Sequence, residues 1–479
     1  MIKKLLLLSV VLSQLAISCS SDDSTDPVKE DPTTEEPVKP TPEQTLAEQV
    51  AAILKQPYSA LAPADQKVKL EAEANEMLVQ LDKTKGTSAM EAIENLERLL
   101  DVNQVDVFNE KNGNEIEDIL NVADVYGIYT WNNTNQIWVK TASTTDLKFV
   151  FPAKESQTSN NTTLSVNSVS SSVKVKFLDT YATWGYNPET DSYGYLTPDV
   201  YDQVFLPTSA NATLTIDGAQ AATITQTASY SNGKEAPDTF SYKMTLNDGY
   251  VWEMSGKKGA SSASTGSLTF NGKSLITFNA GSSANIDGLL AEEPLNSYRG
   301  KANALITLMD NFVIVADMDL ATDAADDVTI ENTIVHPSAD LTKADANHVA
   351  YFTARNLYNQ KYSAAVAASF NKNIKLTLVS KKDGTKIADV IQRSEKLENK
   401  DYYTFNLPVW RIDDFYDEGG YWGYDDSPNA KTFTNEYYDE EYYLKFNDQT
   451  QIAMSAYFSE GFGTFESKFE EFIKAFEKK

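Results

Sequence analysis

"TLNDGYVW" (Thr245–Trp252), "TFNGKSLITF" (Thr269–Phe278) and "LKFNDQTQIAM" (Leu444–Met454) share one form. In each, an Asn-Asp or Asn-Gly pair interrupts residues that alternate between apolar and polar. Asn, Asp and Gly tolerate the positive φ of a tight hairpin turn, and alternation places one face of a strand on a core. Turns of this form, spread over the chain, predict antiparallel strands in sequence order. "YGIYTWNNTNQIWVKT" (Tyr126–Thr141) repeats the design with two aromatic runs around "NNTNQ". "DLKFVFPA", "SSVKVKFLDTY" and "ATLTIDGAQAATITQTASYS" continue it, the last with Asp217-Gly218 as its turn. "ANALITLMDNFVIVADMDL" is apolar on both sides of Asp310-Asn311, so it predicts a well-buried hairpin.

Helical spacing dominates elsewhere. In residues 43–108, Leu46, Val50, Ile53 and Leu54 fall on one helical face. Pro63 opens a second helix to about Leu81, and Gly86 punctuates. Ser88-x-x-Glu91 has the form of a capping box before Met90, Ile93, Leu96, Leu99 and Leu100. This segment is expected to cover one face of the β part. A shorter helix is expected from Asp345, with Val349, Phe352 and Leu357 inward. Phe465, Phe469, Phe472, Ile473 and Phe476 predict a C-terminal amphipathic helix after Thr464. The fold class is α+β, mainly antiparallel, as a sandwich or a strongly curved sheet. Residues 109–479 form the β-rich part. The likeness of "LKFVFP" to "YTFNLP" suggests two halves dividing near 290–300.

Composition excludes some functions. The chain has 479 residues, with 41 basic against 69 acidic ones and a net charge of −28. Such a surface repels phosphate backbones, so no nucleic-acid partner is expected. One cysteine forbids an internal disulfide, and two histidines, His336 and His348, give little for histidine chemistry. No phosphate loop, nucleophile elbow or zinc-binding histidine pair is present.

The N-terminus reads "MIKKLLLLSVVLSQLAISC". Lys3 and Lys4 precede an apolar run from Leu5 to Leu15, too short to span a membrane comfortably. Small residues then surround Cys19, the chain's sole cysteine. The stretch resembles the lipobox of bacterial lipoproteins, with one departure: the usual leucine sits at Leu15, one place early. The resemblance implies that residues 1–18 are a signal peptide and that Cys19 carries acyl chains into the outer membrane. "CSSDDS", with Asp22 and Asp23, resembles the acidic export signal of surface-exposed lipoproteins of the Bacteroidetes. It implies display on the outer face of the cell. Residues 19–42 are acidic and proline-rich, and predict an extended tether of roughly 60–70 Å.

"DDFYDEGGYWGYDDSPN" (Asp413–Asn429) is the densest mixture of acids, aromatics and glycines. Within and beside it, Trp410, Tyr416, Tyr421, Trp422 and Tyr424, with Asp413 and Asp417, are candidate binding residues. Sugars stack on aromatic rings while carboxylates take their hydroxyls, and amphipathic rings also anchor protein contacts. Asp413, Asp417, Asp425 and Asp426 are candidate calcium ligands, though without the alternate-residue spacing of an EF-hand. No other cofactor is expected. A second stretch, "TWGYNPETDSYGYLTPDVYDQ" (183–203), has the same composition. Non-catalytic binding of a glycan or envelope protein is the leading functional expectation. A carboxylate-pair glycoside hydrolase, with Asp413, Asp414, Asp417 and Glu418 as candidates, and a purely structural envelope component stand beside it.

Overall fold

The computed structural model describes residues 45–81, 87–103, 119–120, 122–231, 233, 235–285, 299–398, 403–416 and 419–458. The expected signal peptide, Cys19, the expected tether and the expected C-terminal amphipathic helix lie outside these residues.

The fold is α+β and mainly antiparallel. Among the described residues, three helices come first: α1 (Leu46–Leu54), α2 (Pro63–Leu81) and α3 (Ser88–Val102). Strands β1 (Gly127–Asn132), β2 (Ile137–Thr141), β3 (Leu147–Phe151) and β4 (Thr162–Thr180) follow. A small hairpin, β5 (Trp184–Asn187) and β6 (Ser192–Tyr195), interrupts before β7 (Val200–Ile216). Then come β8 (Ala219–Ser229), β9 (Thr239–Leu246), β10 (Tyr250–Lys257), β11 (Ser262–Phe270), β12 (Lys273–Ser282), β13 (Lys301–Leu308) and β14 (Phe312–Asp319). Helices α4 (Leu320–Thr333) and α5 (His348–Asn373) precede β15 (Ile374–Ser380) and β16 (Thr385–Lys396). Short strands β17 (Thr404–Asn406), β18 (Val409–Ile412), β19 (Gly420–Gly423) and β20 (Thr432–Thr434) lead to β21 (Tyr438–Lys445), β22 (Gln451–Ala453) and the one-turn α6 (Met454–Tyr457).

All the long strands join one sixteen-stranded sheet, ordered β2-β1-β3-β4-β7 through β16 and then β21-β22. Every neighbouring pair is antiparallel except β1 with β3. The expected turns are present. Asp217 and Gly218 both take positive φ between β7 and β8, as do Asn271 and Gly272 between β11 and β12. Between β13 and β14 the positive-φ residues are Met309 and Asp310, one place before the expected Asp310-Asn311. Pairing of β12 with β13, from Ile276↔Leu308 to Ser282↔Ala302, keeps the sheet continuous across 290–300.

Helices cover the sheet through specific anchors. Trp131, Trp138, Phe149 and Phe151 form a buried aromatic bed for Leu96 and Leu99 of α3. Asn95 Nδ2 donates to the Pro152 carbonyl at 2.7 Å, and Trp138 Nε1 donates to the Leu99 carbonyl at 3.2 Å. The α3 cap is Thr87, whose hydroxyl accepts from the Met90 N–H at 3.2 Å, one residue before the expected Ser88. Helix α1 has a capping box of its own, Thr45 with Glu48. It seats Val50 on Val313, Val315 and Val379. Alternation puts Phe312, Ala316, Leu376 and Leu378 on the opposite face, where Leu70 of α2 and Tyr457 of α6 pack. The α1–α2 link passes between faces at β16: Ser59 N–H donates to the Lys386 carbonyl and Lys386 N–H to Pro57, both at 2.8 Å. Tyr58 donates its hydroxyl to Asp389, and burial with that carboxylate raises the phenol pKa.

Helix α5 is longer than the expected element. Phe352 packs inward against Phe405 and Phe433, with centroids 5.0 and 5.5 Å away. Val349 and Leu357, expected inward, are 48% and 49% exposed. The helix here lies against a narrow arm rather than a broad sheet, so one ring and the asparagine side chains suffice to seat it.

Candidate functional site

Both aromatic-acid stretches form tips of hairpins that outrun the sheet. Strand direction alternates across antiparallel neighbours, so the ends of β4 and β16 are the same strand end. Ten strand steps separate them, about 48 Å along the sheet at ~4.8 Å per step. The hydrogen bonds and ring contacts described below keep each tip within its own arm and the elements beside it.

The second tip holds the residues of the 410–424 candidate. β16 and β21 pair from Asp389↔Lys445 to Lys396↔Tyr438. The arm continues through Leu397 N–H to Tyr437 O (3.0 Å), Asn435 N–H to Tyr403 O (2.9 Å), β17–β20, and Leu407 N–H to Lys431 O (2.7 Å). β18 and β19 close it, with Trp410 opposite Trp422. Gly420 is required there: a Cβ would stand 2.3 Å from the Arg411 carbonyl oxygen and 2.8 Å from the Trp410 ring.

Helix α5 props this arm. Asn356 Nδ2 donates to the Thr434 carbonyl, while its Oδ1 accepts from the Glu436 N–H, both at 2.9 Å. Asn359 Nδ2 donates to the Glu436 carbonyl at 2.8 Å. Trp422 donates its indole N–H to the Lys343 carbonyl at 2.8 Å and packs edge-on against His348, centroids 4.3 Å apart. Both imidazole nitrogens of His348 are enclosed without a hydrogen-bond partner, and burial lowers its pKa.

The candidates therefore divide. Trp410 and Trp422 pack on each other at 5.6 Å and hold the tip in place. Tyr416 stacks near Tyr421 at 5.0 Å, with both rings partly free. Phe415 and Tyr424 are 89% and 75% exposed, so they lie open to a partner. Asp413 accepts the Phe415 N–H at 3.0 Å, which shapes the turn. Asp425 accepts the Ser427 N–H at 3.0 Å, and hydrogen bonds from Ser427 hold its carboxyl below the usual range. Asp426 is exposed. Asp417 and Glu418 lie outside the described residues. Among the described residues, no group of three or more His, Cys, Asp or Glu side chains is placed to share a metal ion. Asp327, a carboxyl that burial and then Asp323 push upward, belongs to α4 and to neither tip.

The first tip extends β4 and β7. Ala182 N–H donates to Asp199 Oδ1 at 2.7 Å, and Leu196 N–H to the Thr183 carbonyl at 2.7 Å. β5 and β6 then pair Trp184↔Tyr195, Gly185↔Gly194 and Tyr186↔Tyr193. Alternation puts all four aromatics on one face and the two glycines on the other. The Trp184 and Tyr195 centroids are 4.9 Å apart, and those of Tyr186 and Tyr193 are 5.4 Å apart. Tyr186 donates its hydroxyl to Asp191 at 2.5 Å, which raises the phenol pKa.

Sequence composition locates both tips. It gives no sign of Lys343, His348, Asn356 or Asn359 as props. The one local signal is the Asn356-x-x-Asn359 spacing, which puts two amides on one helix face. Compared with protein-family models, with curated proteins and with solved structures, the chain shows no match.

Proposed function

We propose that this chain is a lipoprotein anchored in the outer membrane through acylated Cys19 and displayed on the cell surface. Its ectodomain holds a glycan or an envelope protein without transforming it. The anchoring half rests on the lipobox-like residues and the acids behind Cys19. The binding half is carried by one observation: the second tip turns Phe415 and Tyr424 outward at 89% and 75% exposure, on an arm braced by α5. Exposed rings of this size contribute little to a core and mark contact surfaces. A braced backbone lowers the ordering cost of binding.

The test has two arms. Cys19→Ala should abolish incorporation of labelled fatty acid and release the protein from the outer membrane. For binding, the purified full-length protein is passed over immobilised polysaccharides and over envelope fractions. Phe415→Ala with Tyr424→Ala should weaken retention while leaving the melting temperature unchanged. Retention equal to wild type would remove the second tip from the account. Release of sugar from any polysaccharide, lost in Asp413→Asn, would favour the hydrolase reading instead.

A further inference from the structure

We propose that the β5–β6 hairpin is a second, separate site, a stacking platform for a neutral polysaccharide chain. The inference rests on the binding reading above for its setting, but on different residues for its chemistry.

Trp184, Tyr186, Tyr193 and Tyr195 occupy one face of a hairpin of two four-residue strands. Cross-strand ring pairs stabilise such a hairpin, which on its own is marginal. Packing within the pairs does not use up the rings, since these side chains remain 62%, 46%, 71% and 72% exposed. Along each strand, successive rings on one face are about 6.8 Å apart. The two ring pairs thus offer successive contacts to an extended chain.

The rim sets the ligand class. Glu189, Asp191 and Asp199 are the charged side chains of residues 181–199, with no Lys or Arg among them. The nearest cation on β4, Lys176, lies 6.0 Å over the Tyr201 ring at the base of the tip. This field repels uronates, sulfated sugars and phosphorylated glycans. Hydroxyls of Thr183 and Thr197, 2.8 Å apart, and of Thr190 and Ser192, 2.9 Å apart, lie at the two ends of the hairpin. A surface of aromatic faces bordered by hydroxyl and carboxylate acceptors suits a ligand with apolar C–H faces and many O–H donors. Chemistry thus points to a neutral hexose or pentose polymer.

The experiment is retention of the full-length protein in native gels containing, separately, a neutral β-glucan, xylan, mannan, amylopectin or anionic polygalacturonate. Retention by at least one neutral polymer and none by polygalacturonate is expected. Trp184→Ala with Tyr193→Ala should weaken it by about tenfold or more. Phe415→Ala with Tyr424→Ala is run on the same polymers, so that the contributions of the two tips are read apart. Loss of hairpin structure is controlled by Trp184→Tyr, which keeps a stacking ring. It should still be retained but lose the change in tryptophan emission that the neutral polymer produces in wild type. No retention by any neutral polymer, retention by polygalacturonate alone, or retention indifferent to the 184/193 pair overturns the inference. If the 415/424 pair alone abolishes retention, the general binding reading stands and this site falls.

Discussion

Asn356→Ala tests how α5 holds the second tip. Asn356 joins two backbone groups of the arm, the Thr434 carbonyl and the Glu436 N–H, each at 2.9 Å. Truncation removes both bonds. At about 0.5–1.5 kcal/mol net for each, the loss is about 1–3 kcal/mol. Alanine is the better helix former, so α5 itself is not weakened by the change. The cost should therefore fall on docking of the arm and not on global stability. Hydrogen exchange separates the two, because local opening and global unfolding expose different amides. A loss of 1–3 kcal/mol corresponds to about 5–150-fold faster exchange. That acceleration is expected for amides of β17, β18, β19 and β20, with β7 to β14 unchanged. Unchanged exchange in the arm would refute the propping role of the helix. A uniform rise over the whole sheet would refute its local character.

Three further predictions bear on the scaffold and the tips. Val50→Ala should cost about 2 kcal/mol in chemical denaturation, because Val50 is 1% exposed against three valines of the sheet. Enclosure of its ring nitrogens lowers the pKa of half-buried His348 in the folded protein, while the unfolded chain keeps the ordinary value of 6.5. The unfolded state therefore binds more protons as pH falls below 6.5, and the stabilisation present above it is lost through the folded pKa. The melting temperature of wild type should drop more between pH 7.5 and 5 than that of His348→Phe; parallel curves would contradict this. Calcium is tested by melting the protein in EDTA and again with calcium added: a rise of several degrees with calcium would support Asp413, Asp417, Asp425 and Asp426 as ligands, and coincident curves would count against them.

Local chemistry explains what the sequence made legible. Turns written as Asp217-Gly218 and Asn271-Gly272 carry their own φ requirement, so their hairpins are readable without tertiary context. The Met309–Asp310 turn is harder: methionine has no preference for positive φ, and it is held there by burial and by its N–H bond to the Leu275 carbonyl. Helix α4 was not anticipated, because it continues directly from β14 and its sequence, "LATDAADDVTIENT", has little apolar periodicity. Apolar spacing predicts Val349 and Leu357 inward, but the part of α5 that carries them meets an arm two strands wide, while its C-terminal part packs on the main sheet. Composition marked both tips as unusual. Which rings brace and which stay free depended on Lys343 and His348, far away in sequence.

The most direct test of the central claim is a single paired measurement on the full-length protein. Retention by immobilised polysaccharides and envelope fractions is measured alongside sugar release from the same samples. Wild type is compared with a variant carrying Trp184→Ala, Tyr193→Ala, Phe415→Ala and Tyr424→Ala. The account predicts retention by wild type, at least about tenfold weaker retention by the variant, and no released sugar from either. Equal retention by the two proteins, or turnover by wild type, would contradict it.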